Sequence, residues 1–349
     1  MAYSIKDKLV VAVSSTALFD FSREHQIFLT EGLEAFRKFQ RDNLHVLPKP
    51  GAAFPFIKRL LHLNKVFHEQ QPVEVIILSR NDPEAGLRMM DALPKYDLDI
   101  TRAIFRSGET SYPYMKALGA CLYLSTHEAE VREAVDAGYA AGHVLPCGLS
   151  DDDGDNQLRI AFDFDGVIVD DEAESQYASG GLPLFHHHEV EHRKRPLSSG
   201  PLMPLLKHVS NLQRLQRENP GAVNSPGKAI RVAILTARSM PAHERVITTL
   251  GAYDIEVDEL LLTGGLEKKA FLDVMRPHIF FDDQLHHLEP ASEGIPCVHI
   301  PFGVRNRPIP NDLPISPVPK REKSRKTPVP GPAAIGLDLA PVTDVATDA

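Results

Sequence analysis

Residues Arg159 to Asp171 read RIAFDFDGVIVDD, an apolar run broken by two carboxylates, Asp163 and Asp165, two positions apart. Side chains alternate faces along a strand, so the pair points one way. Adjacent carboxylates repel, and burial makes their charged forms costlier still. A cation has to compensate them. Other residues able to do chemistry close other apolar runs: Thr236 and Ala237 end IRVAILTA, and Asp282 and Asp283 end HIFFDD. Lys268 and Lys269 lie between those two runs, in LEKKA. Four acids, a hydroxyl and a lysine suit a hard cation such as Mg2+, which takes oxygen ligands and shares its sphere with water and substrate phosphate.

These residues need elements to carry them. Strand-like runs, KLVVAVSS, VEVIILS, RAIFRS and ACLYLS in the first half and RIAFDFD, IRVAILT, DELLLTG and HIFFDD in the second, alternate with helical stretches. That rhythm predicts an α/β fold with a parallel sheet and crossover helices. Ligands bind beyond the carboxyl ends of strands in such sheets, so Asp163, Asp165 and Asp282 are expected to converge there.

The chain also repeats itself. GAAFPFIK from Gly51 lies over GPLMPLLK from Gly200, a shift of 149 that also places Gly32 on Gly181, Phe36 on Phe185, and Ser14 and Thr16 on Asp163 and Asp165. Beyond the turn-rich Glu218 to Lys228 the shift becomes 157, with VIILS from Val75 over VAILT from Val232 and LYLST from Leu122 over IFFDD from Ile279. Surface loops accept such insertions. Two tandem lobes are expected, 1–150 and 151–305. The first has Ser14, Thr16, Ser125 and Thr126 where the second has its four acids, so it should be degenerate and non-catalytic, with its hydroxyls free to serve a nucleotide effector or the lobe a mere scaffold.

Composition narrows the rest. Hydrophobic residues make up 43% and charged residues 24% of the 349, the balance of a globular protein. A net charge of −9 speaks against a nucleic-acid partner. Three widely spaced cysteines, Cys121, Cys147 and Cys297, offer neither a disulfide framework nor a zinc site. The apolar run Leu9 to Val13 is too brief for a signal-peptide core, and nothing approaches the roughly 20 apolar residues of a membrane span. A cytoplasmic protein without membrane contact is expected. Residues 306–349 are proline-rich with a basic cluster from Lys320 to Lys326, the composition of a disordered tail. His188 and His192, spaced for one helix face in LFHHHEVEH, invite a zinc reading, but no third ligand is evident.

The constellation resembles the haloacid-dehalogenase-like phosphohydrolases: DFDGV is similar to the first motif of that superfamily, ILTAR to the second and FFDD to the fourth. AVSSTALF, VREAVDAG, LTARS, RPHIFFDDQ and HIPFGV look like the cytosolic type I 5'-nucleotidases in particular. The resemblance implies two Rossmann-like lobes with small helical caps, the catalytic one inserted near 171–229, where LFHHHEVEH would be cap or substrate-side surface. It implies Mg2+-dependent hydrolysis of nucleoside 5'-monophosphates, AMP foremost, with Asp163 as nucleophile and Asp165 as acid and base. Thr236, Ala237 and Lys268, with Lys269 its competitor, would bind phosphate. Asp163, the Asp165 backbone carbonyl, Asp282 and Asp283 would hold the metal. A different phosphomonoester, a non-catalytic nucleotide sensor and a homo-oligomeric assembly remain alternatives at this stage.

Overall fold

A computed structural model describes residues 4–148, 151, 154–219 and 228–307. The tail from 308 onward and most of the Glu218 to Lys228 insertion lie outside the described residues. Residues Met1–Arg307 form one compact unit.

Twelve strands appear among the described residues: β1 (Leu9–Val13), β2 (Phe19–Asp20), β3 (Lys49–Pro50), β4 (Val73–Ser79), β5 (Ala103–Phe105), β6 (Leu122–Ser125), β7 (Ala141–Val144), β8 (Leu158–Phe162), β9 (Ile230–Thr236), β10 (Glu259–Leu262), β11 (Ile279–Asp282) and β12 (Cys297–His299). Ten of them build one sheet in the order β10-β9-β8-β11-β12-β7-β6-β1-β4-β5, while β2 and β3 pair separately. The fold is α/β around a mostly parallel sheet. Strands β1 (LVVAV) and β4 (VEVIILS) are mostly aliphatic and buried along their whole length, as strands are when helices cover both faces of a sheet.

Read outward from the middle, the two halves of the sheet have the same order, β7-β6-β1-β4-β5 and β12-β11-β8-β9-β10. Their registers correspond as well. Val13 lies opposite Ile77 and Leu124, and Phe162 opposite Ile234 and Phe281, the shifts of 149 and 157 already present in the sequence. The halves meet where β7 pairs antiparallel with β12, the one antiparallel contact in the sheet. Neither of these short strands was among the expected runs.

Glycine repeats too. Helices Ser22–Glu31 and Leu33–Asp42 are separated by Gly32 at φ 86°, ψ −178°, and helix Glu172–Glu191 is kinked at Gly181 with φ 67°, ψ −164°. Side chains other than hydrogen rarely tolerate that backbone region. Helix Glu172–Glu191 buries little beyond Ala173, Phe185 and Glu189, whereas Met203–Glu218 sinks Met203, Leu205, Leu206, Val209 and Leu212 into the core, as a crossover helix does. On that side of the sheet a single apolar cluster runs under both halves, from Phe56, Leu60 and Val75 to Leu206, Ile234 and Phe281. The opposite side holds a separate cluster for each half.

Candidate active site

The second-half strands deliver their acids to one place. Asp163 follows β8 directly, its backbone N–H donating to Phe281 O at 2.8 Å. Asp282 ends β11 and Asp283 follows it. Oxygens of Asp163, Asp282 and Asp283 lie within 4.8 Å of one another, all three side chains buried. Lys268, first residue of helix Lys268–Met275, reaches in from the side. Its Nζ donates to Asp282 Oδ2 at 2.6 Å and lies 2.9 Å from Asp163 Oδ1. Asp282 also accepts from the Gln284 N–H at 2.8 Å and stands 3.1 Å from His287 Nδ1.

The charges do not balance. Burial and mutual repulsion push the Asp163 and Asp283 carboxyls well above the ordinary aspartate range. Burial would raise Asp282 as well, but Lys268 and His287 outweigh it and hold that carboxyl low. Burial likewise disfavours the Lys268 ammonium, yet Asp163 and Asp282 keep it charged. With all three carboxyls ionised, one ammonium leaves an excess of negative charge, which the raised carboxyls shed by holding protons and which a divalent hard cation, bound by oxygens, would offset. The donor set, carboxylate oxygens alone, suits a hard divalent metal ion.

The other expected residues fall as follows. Thr236 ends β9 with its hydroxyl buried, accepting from the Arg238 N–H at 3.2 Å. Ala237, next in the chain, is exposed. Lys269 points away and pairs on the surface with Asp273 at 2.9 Å. Asp165 does not join the three clustered acids. Its two oxygens accept from Arg238 Nε at 2.8 Å and Nη2 at 2.7 Å, a forked pair.

Arg238 was not singled out from the sequence, although an arginine two positions past a strand-ending threonine was a visible signal. It is 3% exposed, its guanidinium 5.3 Å from the ring centres of both Phe164 and Phe185. Beyond Asp165 it also grips the fully buried Glu189. His188 of the histidine run contacts Glu172 at 3.3 Å and Glu189 at 3.1 Å, and His192 packs on His188. Among the described residues the only metal-type cluster is the aspartate trio.

At the matching strand ends of the first half the side chains are uncharged. Ser14 Oγ lies 3.2 Å from Thr16 Oγ1, Thr126 donates to Thr16 at 2.6 Å, and Ser15 and Ser79 are 3.0 Å apart. The local turns survive the exchange. Ser79 Oγ accepts from the Asn81 N–H as Thr236 does from Arg238, and Ser125 Oγ accepts from the His127 N–H as Asp282 does from Gln284.

Comparison with known proteins places this geometry. A family described as 5'-nucleotidase matches residues 1–307. Cytosolic 5'-nucleotidase 1B of Homo sapiens is 32% identical over 293 residues, which cover 82% of this chain and 48% of that protein. The chain thus spans about half the length of this curated relative. No solved structure matches.

Proposed function

The chain belongs to the 5'-nucleotidase family, and from that premise we propose that it hydrolyses nucleoside 5'-monophosphates, AMP foremost, to nucleoside and phosphate. The observation that carries this reading is the convergence of Asp163, Asp282 and Asp283 around Lys268 at the strand ends. An excess of buried carboxylate is unstable without a cationic partner, and a phosphate-bearing substrate with its counter-ion supplies one.

In this reading Asp163 attacks phosphorus in line. A bond forms between its carboxylate oxygen and phosphorus, the bond from phosphorus to the 5' oxygen breaks, and Asp165 gives that oxygen a proton. Covalent catalysis thereby divides one difficult displacement into two easier ones. Asp165, now ionised, takes a proton from a water that attacks the aspartyl-phosphate, releasing phosphate and restoring Asp163. The Thr236 hydroxyl, whose own proton is left free by the contact it accepts, and the Ala237 N–H donate to phosphate oxygens. Lys268 neutralises charge spread over the transferring group. Mg2+ would be held by Asp163, Asp282, Asp283 and the Asp165 backbone carbonyl, and would supply positive charge between carboxylates and phosphate.

We assign the first half no hydrolysis, because hydroxyls cannot replace a carboxylate nucleophile. They can donate to phosphate; with the Ser79 turn preserved, the half either binds a nucleotide effector or serves as scaffold alone. The human relative is cytosolic by name, and we extend that compartment to this chain; no helix among the described residues is long and apolar enough to cross a membrane.

A phosphate-release screen of nucleoside monophosphates and sugar phosphates, with and without Mg2+, tests the reading. Release from nucleotides, dependent on Mg2+, is expected. Turnover confined to some other phosphomonoester would overturn it.

A further inference from the structure

Asp165 sits at one end of a line of buried charges that the family motifs do not account for. Arg238 grips both of its oxygens and, on the other side, Glu189. Glu189 accepts from Arg245 Nη1 at 2.7 Å, and Arg245 Nη2 donates to Glu172 at 2.9 Å. Glu189 and Arg245 are completely buried. Glu172 and Glu189 both lie on the kinked helix Glu172–Glu191.

The first half of the molecule is an internal control for what this line does. Arg88, shifted by 157 from Arg245, donates through Nε to Val46 O at 2.8 Å, and Arg245 Nε donates to Arg195 O at 2.9 Å, the carbonyl 149 positions on from Val46. Arg88 also reaches Glu24, an acid on helix Ser22–Glu31, at 2.5 Å and, at 3.4 Å, Gln40, the counterpart of Glu189. Both halves therefore contain the same structural arginine on the same carbonyl and beside the same helix position, each with a further acid whose place differs, since the shift of 149 carries Glu24 onto Ala173 rather than Glu172. Three positions differ together: Thr16 becomes Asp165, Asn81 becomes Arg238 and Gln40 becomes Glu189. The neutral set packs into the same framework, so the fold does not require the charged one. Burying a chain of ions for stability alone is poor economy, since desolvation can exceed the Coulomb gain.

Resting on the hydrolase reading above, we propose that Arg238 and Glu189 are positioning residues for Asp165: Glu189, fixed by Arg245, aims the Arg238 guanidinium, which holds the Asp165 carboxylate in its place beside Asp163. The chemistry of each residue suits the task. A guanidinium offers two parallel donors to one carboxylate, which an ammonium cannot. The Phe164 and Phe185 ring centres each lie 5.3 Å from its central carbon, within range of a cation–π contact. Glu189 supplies the charge that allows Arg238 to be buried, and burial would lift its carboxyl were it not for Arg238 and Arg245, which hold it below the usual range. The kinked helix thereby fixes the orientation of Asp165 in its ionised form, the form that takes the proton of the attacking water in the second step.

The test compares Glu189→Gln, Arg238→Lys and the double variant Arg238→Asn with Glu189→Gln, which reproduces the neutral pair of the first half. Glu24→Gln, which breaks the Arg88 pair in the first half, is the stability control. Misplacing an acid–base group by about an ångström costs on the order of 10²-fold, so kcat with a nucleoside monophosphate at saturating Mg2+ should fall roughly 10- to 100-fold in the first three, with KM within about threefold. Glu189→Asp should recover part of the loss. The double variant should melt near the wild-type temperature, and Glu24→Gln should lower the melting temperature while leaving kcat in place. A folded double variant with kcat within about threefold of wild type would overturn the proposal, as would a loss in Glu189→Gln no larger than in Glu24→Gln at equal folded fraction. Absence of wild-type turnover would instead overturn the hydrolase reading, and with it the catalytic meaning of the clamp.

Discussion

At the end of β1 stand Ser14 and Thr16; at the end of β8, in the same register and with the same backbone contact to the neighbouring strand, stand Asp163 and Asp165. The difference between these two strand ends propagates through everything around them. Where Lys268 reaches between two carboxylates, the first half places Ser111, whose N–H and hydroxyl both turn to Glu130, which also accepts from Tyr123. Where Arg238 and Glu189 hold Asp165, it places Asn81 and Gln40. Charge at these strand ends comes as a set. An acid at a buried strand end requires a cation within reach, and the cation requires a further acid to hold it; a hydroxyl requires neither, because its hydrogen bonds are satisfied by other hydroxyls nearby.

The comparison should break most visibly at Asp163, the nucleophile of the proposed reaction. Asp163→Asn, nearly isosteric, should lower phosphate release by about 10⁴-fold or more, as loss of a covalent nucleophile does elsewhere, while Ser14→Ala at the matching position should leave kcat within about twofold. Comparable damage from both substitutions would mean that the first half takes part in the chemistry. Next in size is the lysine. Lys268→Met should reduce kcat roughly 10²- to 10³-fold, the usual cost of removing one group that stabilises the transition state, and the melting temperature of the variant should rise more on adding Mg2+ than that of wild type. Ser111→Ala at the equivalent position should affect melting alone.

The halves should respond alike where they share scaffolding. A Cβ on Gly51 would come within 2.6 Å of Ala17 O, and one on Gly200 within 2.3 Å of Val169 O. Gly51→Ala and Gly200→Ala are each expected to destabilise by roughly 2–3 kcal/mol in urea unfolding, through backbone displacement. If only one of them did so, the two turns would not be equivalent. The smallest effect is expected at Ser79. Ser79→Ala, a smaller side chain suited to a position only 1% exposed where a larger one would overpack the strand end, should leave basal turnover unchanged and weaken any activation or inhibition by an added nucleotide. An effector response that survives this substitution would leave the first half as scaffold alone.

Much of this was legible in the sequence because the signals are local. Aliphatic runs of five to seven residues mark β1, β4, β8 and β9 whatever they pair with, and polar residues interrupting such runs mark the strand ends where ligands bind. The double shift of 149 and then 157 revealed the register of strands far apart in the chain. β7 and β12 escaped notice because four residues such as AGHV and three such as CVH carry no periodic pattern long enough to distinguish a strand from a turn. Lys268 and Lys269 were indistinguishable for a related reason. Neighbours on a helix point about 100° apart, and only the packing of that helix against β11 decides which one faces the acids.

The sequence by itself therefore determined where the longer strands form, that the halves correspond, and which positions carry acids rather than hydroxyls, since each of these depends on residue type and spacing along the chain. The tertiary structure alone decided that β12 joins β7 in an antiparallel seam, that Lys268 is the buried lysine, and that Glu189 reaches Arg238 from 49 residues away. Those outcomes depend on which surfaces are buried against each other. A charge finds its partner only after the chain between them has folded.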